Sequence, residues 1–147
     1  MSNAIYEGTD AIMLSAESAA GDYPVEAVTT MNNVAIEVES DPTYTDVIEA
    51  SRKAERHSVA DGIVAAAREI AETTEIKAIC CFTSSGPTAS LVARERPRVP
   101  IIAMTNRRST ARVMALTWGC YCVVTGDLER FKQAVVNAAR AARASGI

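Results

Sequence analysis

A chain of 147 residues is long enough for a domain with a real core, and 48% hydrophobic with 22% charged residues reads as soluble and globular. No apolar run is long enough for a membrane span, and the start lacks the basic and apolar stretches of a signal peptide. The net charge of −3 is unevenly spread: residues 1–50 carry ten acidic side chains and no Lys or Arg, whereas residues 51–147 carry fifteen basic and eight acidic ones. That asymmetry points to two segments with different surfaces, and the basic one suits an anionic small molecule. With no basic run and few aromatics, the composition speaks against a nucleic-acid partner.

Met1-Ser2-Asn3-Ala4 reads as a start codon and an expression scar, so residues 1–4 are set aside from fold reasoning. Residues 5–40 then read as one strand–helix unit. The apolar run Ala11-Ile12-Met13-Leu14 predicts a buried strand. Pro24 suits a first helical turn, and Val28, Met31, Ala35 and Val38 follow at helical spacing, predicting a helix over 24–40. One such unit cannot bury both faces of its strand, so it belongs to something larger. Asp41-Pro42 breaks the helix, and the polar residues 41–57 read as a linker, with Arg52-Lys53-Ala54-Glu55-Arg56 solvated and His57 at the surface.

Residues 58–147 alternate regularly. Ser58 and Asp61 resemble a capping box, and Val59, Ile63, Ala66 and Ile70 line one helical face. Strands are predicted over 77–83, 100–105 and 120–125, and helices over 86–96, 109–118 and 128–144. The strands are almost continuously apolar, as in a parallel sheet covered on both faces. The fold class is therefore α/β, a three-layer doubly wound and mainly parallel sheet, small for its type. Cys80, Cys81, Cys120 and Cys122 fall inside the strands and read as buried apolar residues in a reducing cytoplasm, with zinc or thiol redox chemistry as the alternative.

The stretch Thr83-Ser84-Ser85-Gly86-Pro87-Thr88 carries the site. It links a strand end to a helix start, where open α/β sheets bind ligands. Unpaired N–H groups and the positive dipole end suit phosphate there. The hydroxyls of Thr83, Ser84, Ser85 and Thr88 add donors, and Gly86 permits close approach. The alternative is a plain helix cap made by Ser85 or Thr88. A second turn, Thr105-Asn106-Arg107-Arg108-Ser109-Thr110, follows the next strand. Arg107 or Arg108 could bring charge to an anion, or both could simply be solvated. Arg94, Arg96 and Arg98 lie toward the far end, and Trp118 reads as core. Asp10, Glu17 and Asp22 make a poor metal site, and no catalytic triad can be assembled.

The run from Glu7 to Val28, with Gly8-Thr9-Asp10-Ala11-Ile12-Met13-Leu14-Ser15-Ala16-Glu17-Ser18 at its heart, closely resembles the last barrel strand and helix of the pyruvate kinases. Thr83-Ser84-Ser85-Gly86-Pro87-Thr88-Ala89, the run Arg96–Thr105 and Leu116-Thr117-Trp118-Gly119 resemble the family's effector loop, its R-P-x-x-P-I strand and its L-x-x-G turn. The resemblance implies the last β/α unit of a TIM barrel joined to a C-terminal effector domain. It implies a cytoplasmic, homotetrameric and allosterically regulated glycolytic phosphotransferase that moves phosphoryl from phosphoenolpyruvate to ADP, giving pyruvate and ATP with Mg²⁺ and K⁺. It also implies a sugar phosphate or nucleotide effector at Thr83, Ser84, Ser85, Gly86 and Thr88, although the family often carries Arg or Lys where this chain has Pro87. The family's metal ligands and catalytic lysine lie earlier in the barrel, and its final strands follow a G-D-x-V-V run. Neither is in these residues, so the chain is expected to be inactive alone. The alternative is a stand-alone phosphate-binding or interaction module that shares the C-terminal fold.

Overall fold

A computed structural model describes residues 1–51, 58–125, 131–144 and 146. Its contacts divide the chain into two units, Met1–Ala54 and Glu55–Ile147. Among its described residues the first has four helices and no strand: α1 (Ser2–Tyr6), α2 (Ala16–Ala19), α3 (Pro24–Ser40) and α4 (Pro42–Ser51). Pro24 fixes the first turn of α3, and the helix keeps its predicted bounds. Its inner end buries Val38 against Ile5, Tyr44 and Ile48, with the Tyr6 and Tyr44 rings 6.2 Å apart. Val25, Val28 and Ile36 on the same helix stay exposed, so α3 is amphipathic with only part of its apolar surface covered.

Three expectations for this unit differ from the structure. Ala11–Leu14 is not a strand, and Met13 is 85% exposed. A strand needs a neighbour to take its N–H and C=O groups, and the described residues of this unit offer none. The polar residues 42–51 form α4 rather than a linker, because Tyr44 and Ile48 stand one helical turn apart and both find α1 and α3. Asp41 is the hinge. Its carboxylate accepts the Thr43 N–H at 2.7 Å and the Tyr6 hydroxyl at 3.1 Å, bonds that hold it below the ordinary carboxylate range. Ser2, Asn3 and Ala4, set aside from the fold, lie within α1. His57 and the charged run 52–56 fall outside the described residues.

The second unit runs α5 (Val59–Thr73), β1 (Ile79–Phe82), α6 (Pro87–Arg94), β2 (Ile101–Thr105), α7 (Arg108–Met114), β3 (Cys120–Val124) and α8 (Phe131–Ala144). Ser58 caps α5 as its spacing predicts, accepting the Asp61 N–H at 3.1 Å. The strands are parallel in the order β1-β2-β3, with Cys81 beside Ala103 and Ala103 beside Cys122. Central β2 is buried along its whole length, which is why it reads as an unbroken apolar run. Its alternating side chains serve two cores. Ile101 and Ala103 face Val64, Ala89, Val92, Ala93 and Met114, from α5, α6 and α7. Ile102 and Met104 face Ala138 and Ala141 of α8. Helices thus cover both faces, the three layers that the sequence predicts.

Candidate functional site

The strand ends share a sequence feature. Phe82-Thr83, Met104-Thr105 and Val124-Thr125 each close an apolar strand on a threonine. Thr83 and Thr105 are buried, and parallel pairing holds the row in line, with Thr83 N–H donating to the Met104 carbonyl at 2.9 Å and Thr125 N–H to the Thr105 carbonyl at 2.8 Å.

From this row the first turn leaves toward α6. Thr83 Oγ1 accepts the Gly86 N–H at 2.8 Å and closes it. Gly86 sits at φ +109°, and a Cβ there would come within 2.9 Å of Met114 Sδ, so both backbone and space favour glycine. Thr110 Oγ1 donates to the Ser84 carbonyl at 2.8 Å, fastening α7 to the turn. The first intrahelical bond runs from Ser90 N–H to the Gly86 carbonyl at 3.1 Å, so the N–H groups of Thr88 and Ala89 precede any helical acceptor. The plain-cap alternative does not hold in its simple form: the cap residue is Gly86, and neither Ser85 nor Thr88 caps the helix. Ser84, Ser85 and Thr88 are exposed.

The second turn stands beside the first, as parallel neighbours require. Thr105 Oγ1 accepts the Arg107 N–H at 3.2 Å, and Asn106, Arg107 and Arg108 are exposed. Among the described residues neither arginine forms an ion pair, so both charges are available at the edge that holds the Thr83–Thr88 turn. Between the turns opens a cavity of about 200 Å³ lined by Phe82, Thr83, Ser84, Met104, Thr105, Asn106 and Thr125. Phe82 and Thr125 were not singled out by sequence reasoning, and Thr105, Asn106 and Thr110 were quoted only as part of their turn. The repeated strand-end threonine was the signal that could have found Thr105 and Thr125.

Several charges away from this edge have structural partners. Arg94 reaches Asp61 at 2.6 Å, tying α6 to the start of α5. The Ser58 hydroxyl and then Arg94 hold the Asp61 carboxyl down at about 2. Arg68 lies 2.8 Å from Glu72 and 3.5 Å from Glu95. Arg96 stacks over Trp118 at 4.6 Å, so this tryptophan, expected in the core, is half-buried and serves as a platform outside the core clusters. All four cysteines are free thiols. Cys81 is buried and Cys80 exposed, and burial pushes the Cys81 thiol up to about 12. Among the described residues no three His, Cys, Asp or Glu side chains gather where they could hold a metal ion, and no helix is long and apolar enough to cross a membrane.

Known proteins match this chain in sequence and in fold. The model of the pyruvate kinase alpha/beta domain matches residues 61–147, and that of the pyruvate kinase barrel domain matches residues 1–28. The chain belongs to the pyruvate kinase family. The barrel-domain match includes residues 1–4. The pyruvate kinase of Methylorubrum extorquens is 43% identical over 140 residues, covering 95% of this chain and 29% of that protein. One from Agrobacterium vitis is 37% identical over 147 residues, covering all of this chain and 31% of that protein. Two crystal structures of Cryptosporidium parvum pyruvate kinase superpose with TM-scores of 0.84 and 0.90 at 30% identity, over 99% of this chain and 30% of theirs. The chain therefore spans under a third of the length of the pyruvate kinases it matches, and its residues 1–28 correspond to part of the barrel domain.

Proposed function

We propose that this chain is the regulatory, effector-binding part of a pyruvate kinase, and that it does not catalyse phosphoryl transfer by itself. In the longer enzyme the reaction passes phosphoryl from phosphoenolpyruvate to ADP, in a cytoplasmic homotetramer using Mg²⁺ and K⁺. The observation that carries this reading is the turn from Thr83 to Thr88, with the leading N–H groups of α6 behind it and Arg107 and Arg108 beside it. Phosphate needs N–H donors, hydroxyls and nearby cations, and this edge of the sheet supplies all three. A sugar phosphate or nucleotide would place its phosphate on Ser84, Ser85 and Thr88, while Thr83 and Gly86 hold the backbone in shape.

Residues for the chemistry itself are not gathered. Phosphoryl transfer depends on metal ions and fixed cations around the moving charge. Asp10, Glu17 and Asp22, the carboxylates near the barrel motif, do not come together as a ligand set. Among the described residues no set of carboxylates is therefore in place for Mg²⁺. The alternative of a stand-alone module is disfavoured by the barrel-domain match over residues 1–28, a segment such a module would not need.

Two measurements test the reading. A coupled lactate dehydrogenase assay with phosphoenolpyruvate, ADP, Mg²⁺ and K⁺ should show no turnover by the pure chain, and turnover would overturn the claim of inactivity. Calorimetric titration with sugar phosphates, nucleotides and sulfate should give heat that disappears in S85A/T88A. Absence of heat with all of them would end the claim of an anion site.

A further inference from the structure

Three of the four cysteines share one face of the sheet. Cys120 stands beside Ile101, while Cys122 and Cys81 flank Ala103 from opposite sides. All three pack in the cluster that β2 makes with α5, α6 and α7, and Met114 adds a fourth sulfur there. Ala103 leaves little bulk between Cys81 and Cys122. The thiols are near enough to act on one another: after burial, Cys120, Cys80 and Cys122 add to the upward push on the Cys81 thiol. Cys80 alternates to the other face of β1 and is exposed.

Cys120 and Cys122 form a pair with a definite spacing. Same-face neighbours on a strand lie two rises apart, about 6.6 Å. A disulfide needs its Cβ atoms at roughly 3.5–4.5 Å, so oxidation would have to pull β3 out of its ladder with β2. A soft ion between the two sulfurs demands less. With metal–sulfur bonds of about 2.3 Å, the length found for zinc thiolates, a linear S–metal–S unit spans about 4.6 Å. Rotating the two side chains toward each other closes that gap with the backbone in place. Both thiols are half-buried, open to an ion yet shielded from bulk water. Cys81 stands two strand spacings from Cys122, roughly 9.6 Å, and stays outside such a unit. Two ligands complete a linear site, whereas zinc takes four. This agrees with the described residues, which hold no three-ligand metal set. Thiolate and thioether surroundings select Cu(I) among the soft ions of the first transition row.

We propose that Cys120 and Cys122 form a two-thiolate site for Cu(I) on the buried face of β3. It lies toward the start of the strand, away from the edge that carries the Thr83–Thr88 turn. Binding replaces two S–H bonds with two Cu–S bonds and releases two protons, leaving a bis-thiolate complex of charge −1. No oxidation state changes.

The test titrates the whole chain and its C80S, C120S and C122S variants, without oxygen, against Cu(I) held by a chromogenic chelator. The parent chain and C80S should each withdraw one ion. C120S and C122S should each bind at least about a hundredfold more weakly, because one thiolate cannot complete a linear site. Circular dichroism confirms that the variants keep the fold. A second readout needs no variant: one equivalent of Cu(I) should protect Cys120 and Cys122 of the parent chain from alkylation while Cys80 is still labelled, and zinc at the same concentration should protect neither. Uptake by C120S or C122S equal to that of the parent overturns the proposal, as does loss of uptake in C80S. Labelling of Cys120 and Cys122 that Cu(I) leaves unchanged, or that zinc blocks as well, overturns it too.

Discussion

Replacing Thr83 by valine isolates the bond that closes the candidate phosphate turn. The two side chains have the same shape, so packing around this buried position is kept and no cavity opens. What disappears is the acceptor of the Gly86 N–H, now 2.8 Å from Thr83 Oγ1. Gly86 is itself buried, so its N–H would be left without water or protein partner. An orphaned buried donor costs about 1–3 kcal/mol. For a unit of this size each kcal/mol lowers the unfolding midpoint by about 4–8 °C, so T83V should melt roughly 4–24 °C lower. T83S keeps the oxygen and loses one methyl, a cost near 0.8 kcal/mol, and should fall clearly less. Thermal unfolding followed by circular dichroism in one buffer compares the three proteins. The reasoning is refuted if T83V melts with the parent chain, or if T83S falls as far as T83V, since the methyl and not the hydroxyl would then matter.

Ile102→Ala removes a fully buried side chain between β2 and α8 and should cost about 2–5 kcal/mol in chemical denaturation; a loss below about 1 kcal/mol would mean that α8 does not seal that face. Asp61 ionises near 2 in the folded chain against an ordinary 3.8, so its stabilising effect is complete above about pH 4 and is lost as pH falls toward 2. The difference in melting temperature between the parent chain and D61N should accordingly be largest near neutrality and shrink through that acid window, whereas a constant gap would show that the carboxylate's charge is not involved. Exposed Cys80 should react first with an aromatic disulfide reagent at pH 8, while buried Cys81 should wait for unfolding; equally rapid labelling of both would contradict their placement on opposite faces of β1.

The second unit was largely legible because its signals are local. Continuous apolar runs bounded by Gly, Pro and hydroxyl residues located all three strands, and Ser58 with Asp61 marked the start of α5 to the residue. The first unit was harder for a physical reason. Ala11–Leu14 has strand composition, but a strand exists only with a partner, and nothing in the local sequence reveals whether one is there. The helix α4 was hidden because Asp41-Pro42 was read only as a stop. The same pair starts a helix, with Asp41 taking the Thr43 N–H and Pro42 in the first turn, and Tyr44 and Ile48 four residues apart complete the signal. At the site, the residue types in the first turn were readable, but their partnerships were not. That Thr83 rather than Ser85 satisfies Gly86, and that Thr110 fastens Ser84, depends on how two turns meet in space. Thr125 lies more than forty residues from Thr83 in sequence, and only the parallel ladder puts both at one edge.

The place where an anion binds is the most direct test. A two-dimensional amide spectrum of the labelled chain, titrated with a hexose 6-phosphate, should show saturable shifts clustered at Ser84–Ala89 and Asn106–Arg108, with little change on α8. Shifts gathered instead around Arg140 and Arg143, or a spectrum unmoved at saturating ligand, would contradict it.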